Sequence, residues 1–354
     1  MGLTGHRTAL GGYIKTVKAL PYYGRKLPMA FVLSRFSALW HFINVGTVKH
    51  NKQEFESLFD RLWTLYKSDV QQADAGYYSL AFASQFPLRD FLSYAPRMPK
   101  EFFRIYRRRQ RREYDDIPQD IAHEYPRYYQ RTFHWQSDGW LSKRSAELYD
   151  PGVEFLFGGT ADIMRRMLIP GVFDALEQDP EPTLLDVACG TGRFIKQLAQ
   201  LKPQLPLTGV DLSPFYVEHA RAQCQSAQTT FTEANAESLP FPDNTFSVVT
   251  CIYLFHELPK DVRRRVMAEL VRVTKPGGVV AVLDSEQLVR GDDISSFLTQ
   301  FPKVYHEPYY LSYLRDDLRA VMTTAGLETI EQRAHFVSRS FLGRKPRAVA
   351  VNAL

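Results

Sequence analysis

Apolar and polar positions follow two different rhythms along the chain. In the first 150 residues, Phe55, Leu58, Phe59, Leu62, Leu65 and Tyr66 recur at the three-to-four-residue spacing of a helix, and this half reads as mainly helical. From about residue 183 the pattern changes. Short apolar runs of strand length alternate with helical stretches, the order expected of a parallel sheet with crossover helices. Thr183–Val187, Leu207–Val210 and Thr230–Glu233 are the first three expected strands, with helices at Arg193–Leu201 and Pro214–Cys224 between them. Ser247–Ile252 is an uninterrupted β-rich run, as suits a strand buried on both faces. A helix over Lys260–Thr274 is expected to stop at Lys275-Pro276-Gly277-Gly278, ahead of a further buried strand at Val279–Leu283. Asp316–Ala325 reads as a helix stopped by Gly326, and residues 327–346 as two more strands.

The length of 354 residues and a hydrophobic fraction of 45% allow one large or two ordinary domains with a sizeable core. Charge is unevenly spread. Residues 1–150 hold 23 Lys/Arg against 15 Asp/Glu, a net +8, which leaves −3 for the rest of a total of +5. A basic first half suits an acidic partner or an anionic membrane surface, or is a solvated face. Its densest part is the run 104–112, with six arginines in nine residues; no nucleic-acid motif accompanies it, so nucleic acid is not expected as a partner. Cys189, Cys224 and Cys251 show no paired spacing, so neither a disulfide framework nor a zinc site is expected, and a reduced, cytoplasmic setting fits. The first residues carry no long apolar core, so no signal peptide is expected. Met29–Val45 is the most apolar stretch; it contains Arg35 and His41 and falls short of the about 20 apolar residues that span a bilayer. It reads as a buried helix or, alternatively, one peripheral to a membrane.

The chemistry concentrates where the first strand ends. Asp186-x-Ala188-x-Gly190-x-Gly192 runs from a strand through a glycine turn into a helix, whose free N–H groups face a carboxylate or phosphate. Asp211 ends the second strand 19 residues after Gly192, the place of the carboxylate that binds ribose hydroxyls in nucleoside-binding folds. Ile195 stands where the dinucleotide fingerprint needs Gly or Ala, and no phosphate-binding P-loop is present, which argues against NAD, FAD and ATP.

Residues 183–283 resemble a class I S-adenosylmethionine (SAM)-dependent methyltransferase of the type 11 kind. Asp186, Ala188, Gly190 and Gly192 match its first motif, Asp211 its ribose-binding acid, and Leu212 the residue that packs on adenine. Asn235 and Ala236 open a segment similar to the family's Asp-Ala-x-x-Leu-Pro-Phe, and residues 269–278 match its helix and turn before the fifth strand. Upstream, residues 145–166 are similar to the segment that covers the cofactor in ubiquinone/menaquinone C-methyltransferases, making Tyr149 either a cofactor contact or part of a packed capping helix. The resemblance covers about 200 residues. It implies an α/β fold with a Rossmann-like seven-stranded sheet and helices on both faces over residues 126–354. A mainly helical cap or interaction region over residues 1–125 would precede it. It also implies SAM as cofactor and methyl transfer as the activity. Three departures stand out: Ala188 for the commoner Gly, Asn235 for Asp, and residues 253–258 in place of the Gly-x-Arg-Asn type sequence of the quinone enzymes, which puts a quinone acceptor in doubt.

Methyl transfer from a sulfonium asks the protein mainly for position and proton control. His256, after the fourth strand, and Asp284, after the fifth, are the catalytic candidates: His256 as a base or as a loop brace, Asp284 as an orienting group. Residues 301–313, with His306, Glu307, Tyr309, Tyr310 and Tyr313, are a candidate lid, and residues 133–140 a second pocket candidate. No metal-ligand cluster is evident, so no metal is expected. The acceptor is expected to be small and hydrophobic or lipid-like. A macromolecular acceptor and a non-catalytic binding module remain the alternatives.

Overall fold

The computed structural model describes residues 19–28, 52–85, 96–111, 113, 117–134, 136–288 and 293–347. The apolar stretch Met29–Val45 and Arg112, at the end of the arginine run, lie outside the described residues.

The amino-terminal region is helical, as its pattern predicts: α1 (residues 19–28), α2 (Lys52–Asp74) and α3 (Met98–Arg111). The apolar stripe of α2 splits. Leu58, Leu62, Leu65 and Tyr66 pack against the body of the molecule, while Phe55 and Phe59 are 65% and 61% exposed. A buried polar knot fixes α1 and α2 to the rest of the chain. Asp69 on α2 accepts hydrogen bonds from Tyr22 (2.6 Å), Tyr78 (2.7 Å) and the Arg166 guanidinium (3.0 and 2.5 Å). Arg166 ends α5 (Ala161–Arg166), which comes after α4 (Lys143–Leu156) and precedes α6 (Ile169–Leu176). Removing one partner of such a buried charge pair costs about 3–5 kcal/mol, because the other is left uncompensated.

Beyond α6, strands and helices alternate as the sequence predicts: β1 (Leu184–Val187), α7 (Arg193–Leu201), β2 (Leu207–Asp211), α8 (Pro214–Gln223), β3 (Thr229–Glu233), β4 (Phe246–Ile252), α9 (Lys260–Val273) and β5 (Thr274–Ser285). Next come three helices, α10 (Ser295–Tyr305), α11 (Tyr310–Leu314) and α12 (Leu318–Thr324), then β6 (Glu328–His335) and β7 (Ser338–Arg344). Among the described residues the seven strands form one sheet, in the order β3-β2-β1-β4-β5-β7-β6. β1 to β5 run parallel; β7 is antiparallel to both β5 and β6. Period-two alternation sends Leu184, Val248 and Ala281 to one face, under α5 to α8, and Leu185, Val249 and Val280 to the other, under α9 and α12. The α/β fold with helices on both faces is the one expected.

One local expectation is met only in part. The helix ends at Val273, one residue short of the expected Thr274, but Lys275–Gly278 is no turn ahead of a separate strand; it lies within β5 as a bulge. Phe246 pairs with Thr274 and Val248 with Val279, so β5 spends five residues where β4 spends two. Gly277 takes φ +81°, which an L side chain would resist, and its N–H donates to the Lys345 carbonyl.

Candidate active site

The parallel strands set their carboxyl ends along one edge, where ligands of open α/β sheets bind. β1 leaves the sheet through Ala188 (φ +56°), Gly190 (φ +55°) and Gly192 (φ +74°). At Gly190 a Cβ would meet open space, so the backbone itself faces the cavity. At Gly192 a Cβ would come within 2.9 Å of Ala220 and 3.1 Å of Phe231, so this glycine serves packing and lies off the cavity wall. The loop is tied to the end of β2: Gly190 N–H donates to Asp211 Oδ2 and Ser213 N–H to Asp211 Oδ1, both at 2.9 Å. Burial raises the Asp211 carboxyl to about 6, against the pull of those donors. No cation pairs with it among the described residues.

The first cavity lies between this loop and a set of aromatic side chains. Ala188, Gly190, Asp211, Leu212, Asn235, Ala236 and Tyr149 all line it, so the fold brings together the cofactor residues expected from the sequence, Asp186 and Gly192 excepted. Asp186 sits beneath the loop, 2% exposed, and its Oδ1 accepts from Thr250 Oγ1 at 2.6 Å. Burial raises it to about 7. Asn235 Oδ1 accepts from Glu237 N–H at 2.9 Å, which fixes the turn after β3. Tyr149 lies where the two readings of it meet. It lines the cavity, and its helix α4 caps the loop, with Asp150 accepting from Thr191 Oγ1 at 2.9 Å. Its ring meets Trp140 and Tyr216 edge to face, at 5.5 and 5.7 Å between centroids. Tyr128, Tyr129 and Tyr216 also line this cavity, and sequence reasoning misses them. The only sequence signal for the first two is the density of aromatics over 125–140. The donor and acceptor set fits an adenosine: a buried carboxylate for a diol, exposed loop backbone, and aromatic walls.

A second cavity adjoins the first and shares Tyr149, Tyr253 and Glu257 with it. Its walls are mainly apolar, with Leu148, Val153, Phe155, Phe157, Phe301 and Tyr305 among them. His134, Gln136 and Ser137 line it, while Phe133 and Trp140 line the first, so the 133–140 stretch serves both. From 301–313, Tyr310 reaches this cavity; Tyr313 lies behind it, donating to Ser285 O at 2.7 Å, and Tyr309 packs on Phe133. His306 caps α10 at φ 50° and, like Glu307, is off the cavity wall. The arginine run contributes unexpectedly. Its helix α3 turns Arg108 inward onto Ser137, and Arg109 lines the cavity. Arg104, Arg107 and Arg111 stay exposed, as a solvated helix end.

His256 comes after β4 in a single turn, Phe255–Glu257. Asp284, fully buried, holds that turn by both oxygens. It accepts from Phe255 N–H at 2.7 Å and meets His256 Nδ1 at 2.7 Å. His256 is therefore braced as well as aimed, with Nε2 left for the cavity. Burial alone would lower its pKa, but Asp284, with Glu257 and Glu307 behind it, raises it to about 9. These carboxylates favour the charged form of the imidazole. Although no metal cluster stands out on the sequence, His134, His256 and Glu307 gather with ligand atoms within 4.8 Å of one another and could hold a metal ion.

A family described as "Methyltransferase domain" matches residues 184–278. The demethylmenaquinone methyltransferase of Deinococcus radiodurans is 34% identical over 134 residues, which are 35% of this chain and 54% of that protein. The chain thus spans about half the length of that relative. The O-methyltransferase rstn1 of Aspergillus nomiae is 30% identical over 176 residues, 49% of this chain and 76% of that protein. Among solved structures, an O-methyltransferase family protein from Burkholderia thailandensis aligns at 20% identity and a TM-score of 0.42, over 59% of this chain and 64% of that one.

Proposed function

The chain belongs to the SAM-dependent methyltransferases, and from that premise we propose that it transfers a methyl group from SAM to a small, largely apolar acceptor held in the second cavity. One observation carries this reading: the cavity beside Asp211 and the apolar one meet at Tyr149, Tyr253 and Glu257. The cofactor supplies a methyl group on a positively charged sulfur, already activated for displacement, so the protein's task is placement. Asp211 would accept from the ribose hydroxyls, and the Gly190 loop would lie along the methionine part. Asn235 and Ala236 would meet the adenine edge, with Leu212 beneath it.

On the acceptor side, hydrocarbon and aromatic walls favour a ring or a lipid-like chain over a peptide or RNA. The relatives' names point the same way, since one acts on demethylmenaquinone and another is an O-methyltransferase. A ring-bearing acceptor methylated at carbon or oxygen agrees with both, although residues 253–258 depart from the quinone enzymes' sequence. His256 is the residue we assign to the acceptor's reacting atom, and Asp284 is a positioning residue that acts through it. No described helix is long and apolar enough to cross a membrane.

The test is release of S-adenosylhomocysteine by the purified chain, supplied with SAM and a panel of phenols, quinols and lipid extracts. Turnover with an apolar small molecule is the expected result. Turnover only with protein or RNA would overturn the assignment of acceptor class.

A further inference from the structure

We infer that His134, His256 and Glu307 form a binding site for a divalent first-row metal ion at the edge of the acceptor cavity. The inference rests on the reading of that cavity as the acceptor site only for what the ion would do there; the site itself rests on geometry.

Three independent elements converge on one point: the 133–140 stretch, the turn after β4 and the loop after α10. Their ligand atoms lie within 4.8 Å of one another. Metal–ligand bonds of about 2.0–2.2 Å place two ligands of one ion at most about 4.4 Å apart, so only a slight closing of side chains is needed. Glu307 is 3% exposed, yet neither carboxylate oxygen has a hydrogen-bond partner among the described residues. His134 Nδ1 lies 2.9 Å from Glu307 Oε1 as an ion pair, without the alignment of a hydrogen bond. An ion pair serving only structure would satisfy those lone pairs, because leaving them unmet in the interior is costly. A buried carboxylate with unmet oxygens beside two imidazoles is a donor set open to a cation.

The surroundings repeat the construction of known metal sites. Asp284 holds His256 Nδ1 at 2.7 Å, which leaves Nε2 as the outward donor. A carboxylate behind a ligating histidine is the usual device for fixing tautomer and ring orientation. Glu257 Oε1 lies 3.7 Å from His134 Nε2 and 3.8 Å from His256 Nε2, within reach as a fourth ligand. Two imidazoles with one or two carboxylates suit Zn2+, Mn2+ or Fe2+ better than the all-oxygen preference of Mg2+ or Ca2+. His134, His256 and Glu257 also line the acceptor cavity. An open coordination position would therefore face the acceptor, and a hydroxyl or carbonyl oxygen there would be held beside the methyl-transfer point.

The experiment uses the full chain after chelator dialysis, titrated calorimetrically with Mn2+ and with Zn2+, with SAM binding measured on the same samples. One equivalent of metal is expected, with Mn2+ giving a bound-ion resonance spectrum. Glu307→Gln should weaken metal binding at least tenfold and leave SAM affinity unchanged. Asp284→Asn, which touches no ion, should weaken it about 10- to 100-fold. If Glu307→Gln fails to fold, His134→Gln and the wild-type spectrum carry the test. Wild-type protein that binds SAM but neither metal overturns the site, as do variants that bind metal like wild type. Metal binding without SAM binding overturns the function proposed above and leaves the metal site standing.

Discussion

The two cavities touch, yet they are built on different principles. The cavity beside Asp211, proposed for the cofactor, draws most of its wall from one continuous stretch, residues 188–266, at strand ends and the loops that follow them. The apolar cavity, proposed for the acceptor, is assembled from α3, the 133–140 stretch, α4, the turn after β4, α10 and β7, and its chemistry lies in side chains. The first is fixed by the sheet. The second depends on segments that meet only once the whole chain has folded. A fold of this kind can keep its cofactor while its acceptor changes, because the two sets of residues overlap at only three positions.

That contrast can be broken from either side. The largest effect is expected at His256: His256→Ala should lower turnover by about 100-fold or more, with SAM affinity within twofold of wild type. A matching loss of SAM affinity would show that the two sites are not separable. Asp211→Ala is the mirror experiment. Loss of a hydrogen bond to a charged group, at about 1.5–3 kcal/mol, predicts SAM binding weaker by about 10- to 150-fold in a folded protein. The fold should tolerate the change. A carboxyl raised to about 6 stabilises the folded state fully below its unfolded value of about 3.9, and that contribution is lost as pH rises through 6. Asp211→Asn without ligand should then be no less stable than wild type at pH 8, as thermal melts would show.

Tyr149, shared by both cavities, sharpens the comparison. Tyr149→Ala removes ring contacts worth about 0.5–1.5 kcal/mol, and should raise both the SAM Kd and the acceptor KM by about 2- to 10-fold. A change in one constant alone would assign the ring to one side. The smallest effect is in pH. If SAM needs ionised Asp211, its affinity should fall roughly fourfold between pH 7.5 and 5.5. A flat profile in calorimetry would place the ribose elsewhere.

The same contrast explains what is legible in the sequence. Every strand from β1 to β7 and the glycine loop with Asp211 are set by local pattern, since apolar runs, glycine turns and a carboxylate at a fixed spacing are short-range signals. Lys275–Gly278 misleads because a Pro-Gly-Gly run looks the same whether it ends a helix or bulges a strand, and only pairing with Phe246 and Lys345 decides. Arg108 and Arg109 are hidden in a charge run whose inward face depends on Ser137, far along the chain. His134, His256 and Glu307 each stand in a candidate segment, but nothing in their spacing joins them. Phe55 and Phe59 share the helical spacing of Leu62 and Tyr66 yet stay exposed, because spacing marks the face of a helix and not what covers it.

SAM is proposed to bind in the cavity beside Asp211. Calorimetric titration of the full chain with SAM, then with S-adenosylhomocysteine in competition, tests it most directly. One site with micromolar affinity for both, the second displacing the first, is the predicted result. Absence of binding by either would contradict the claim and return the domain to the role of a scaffold.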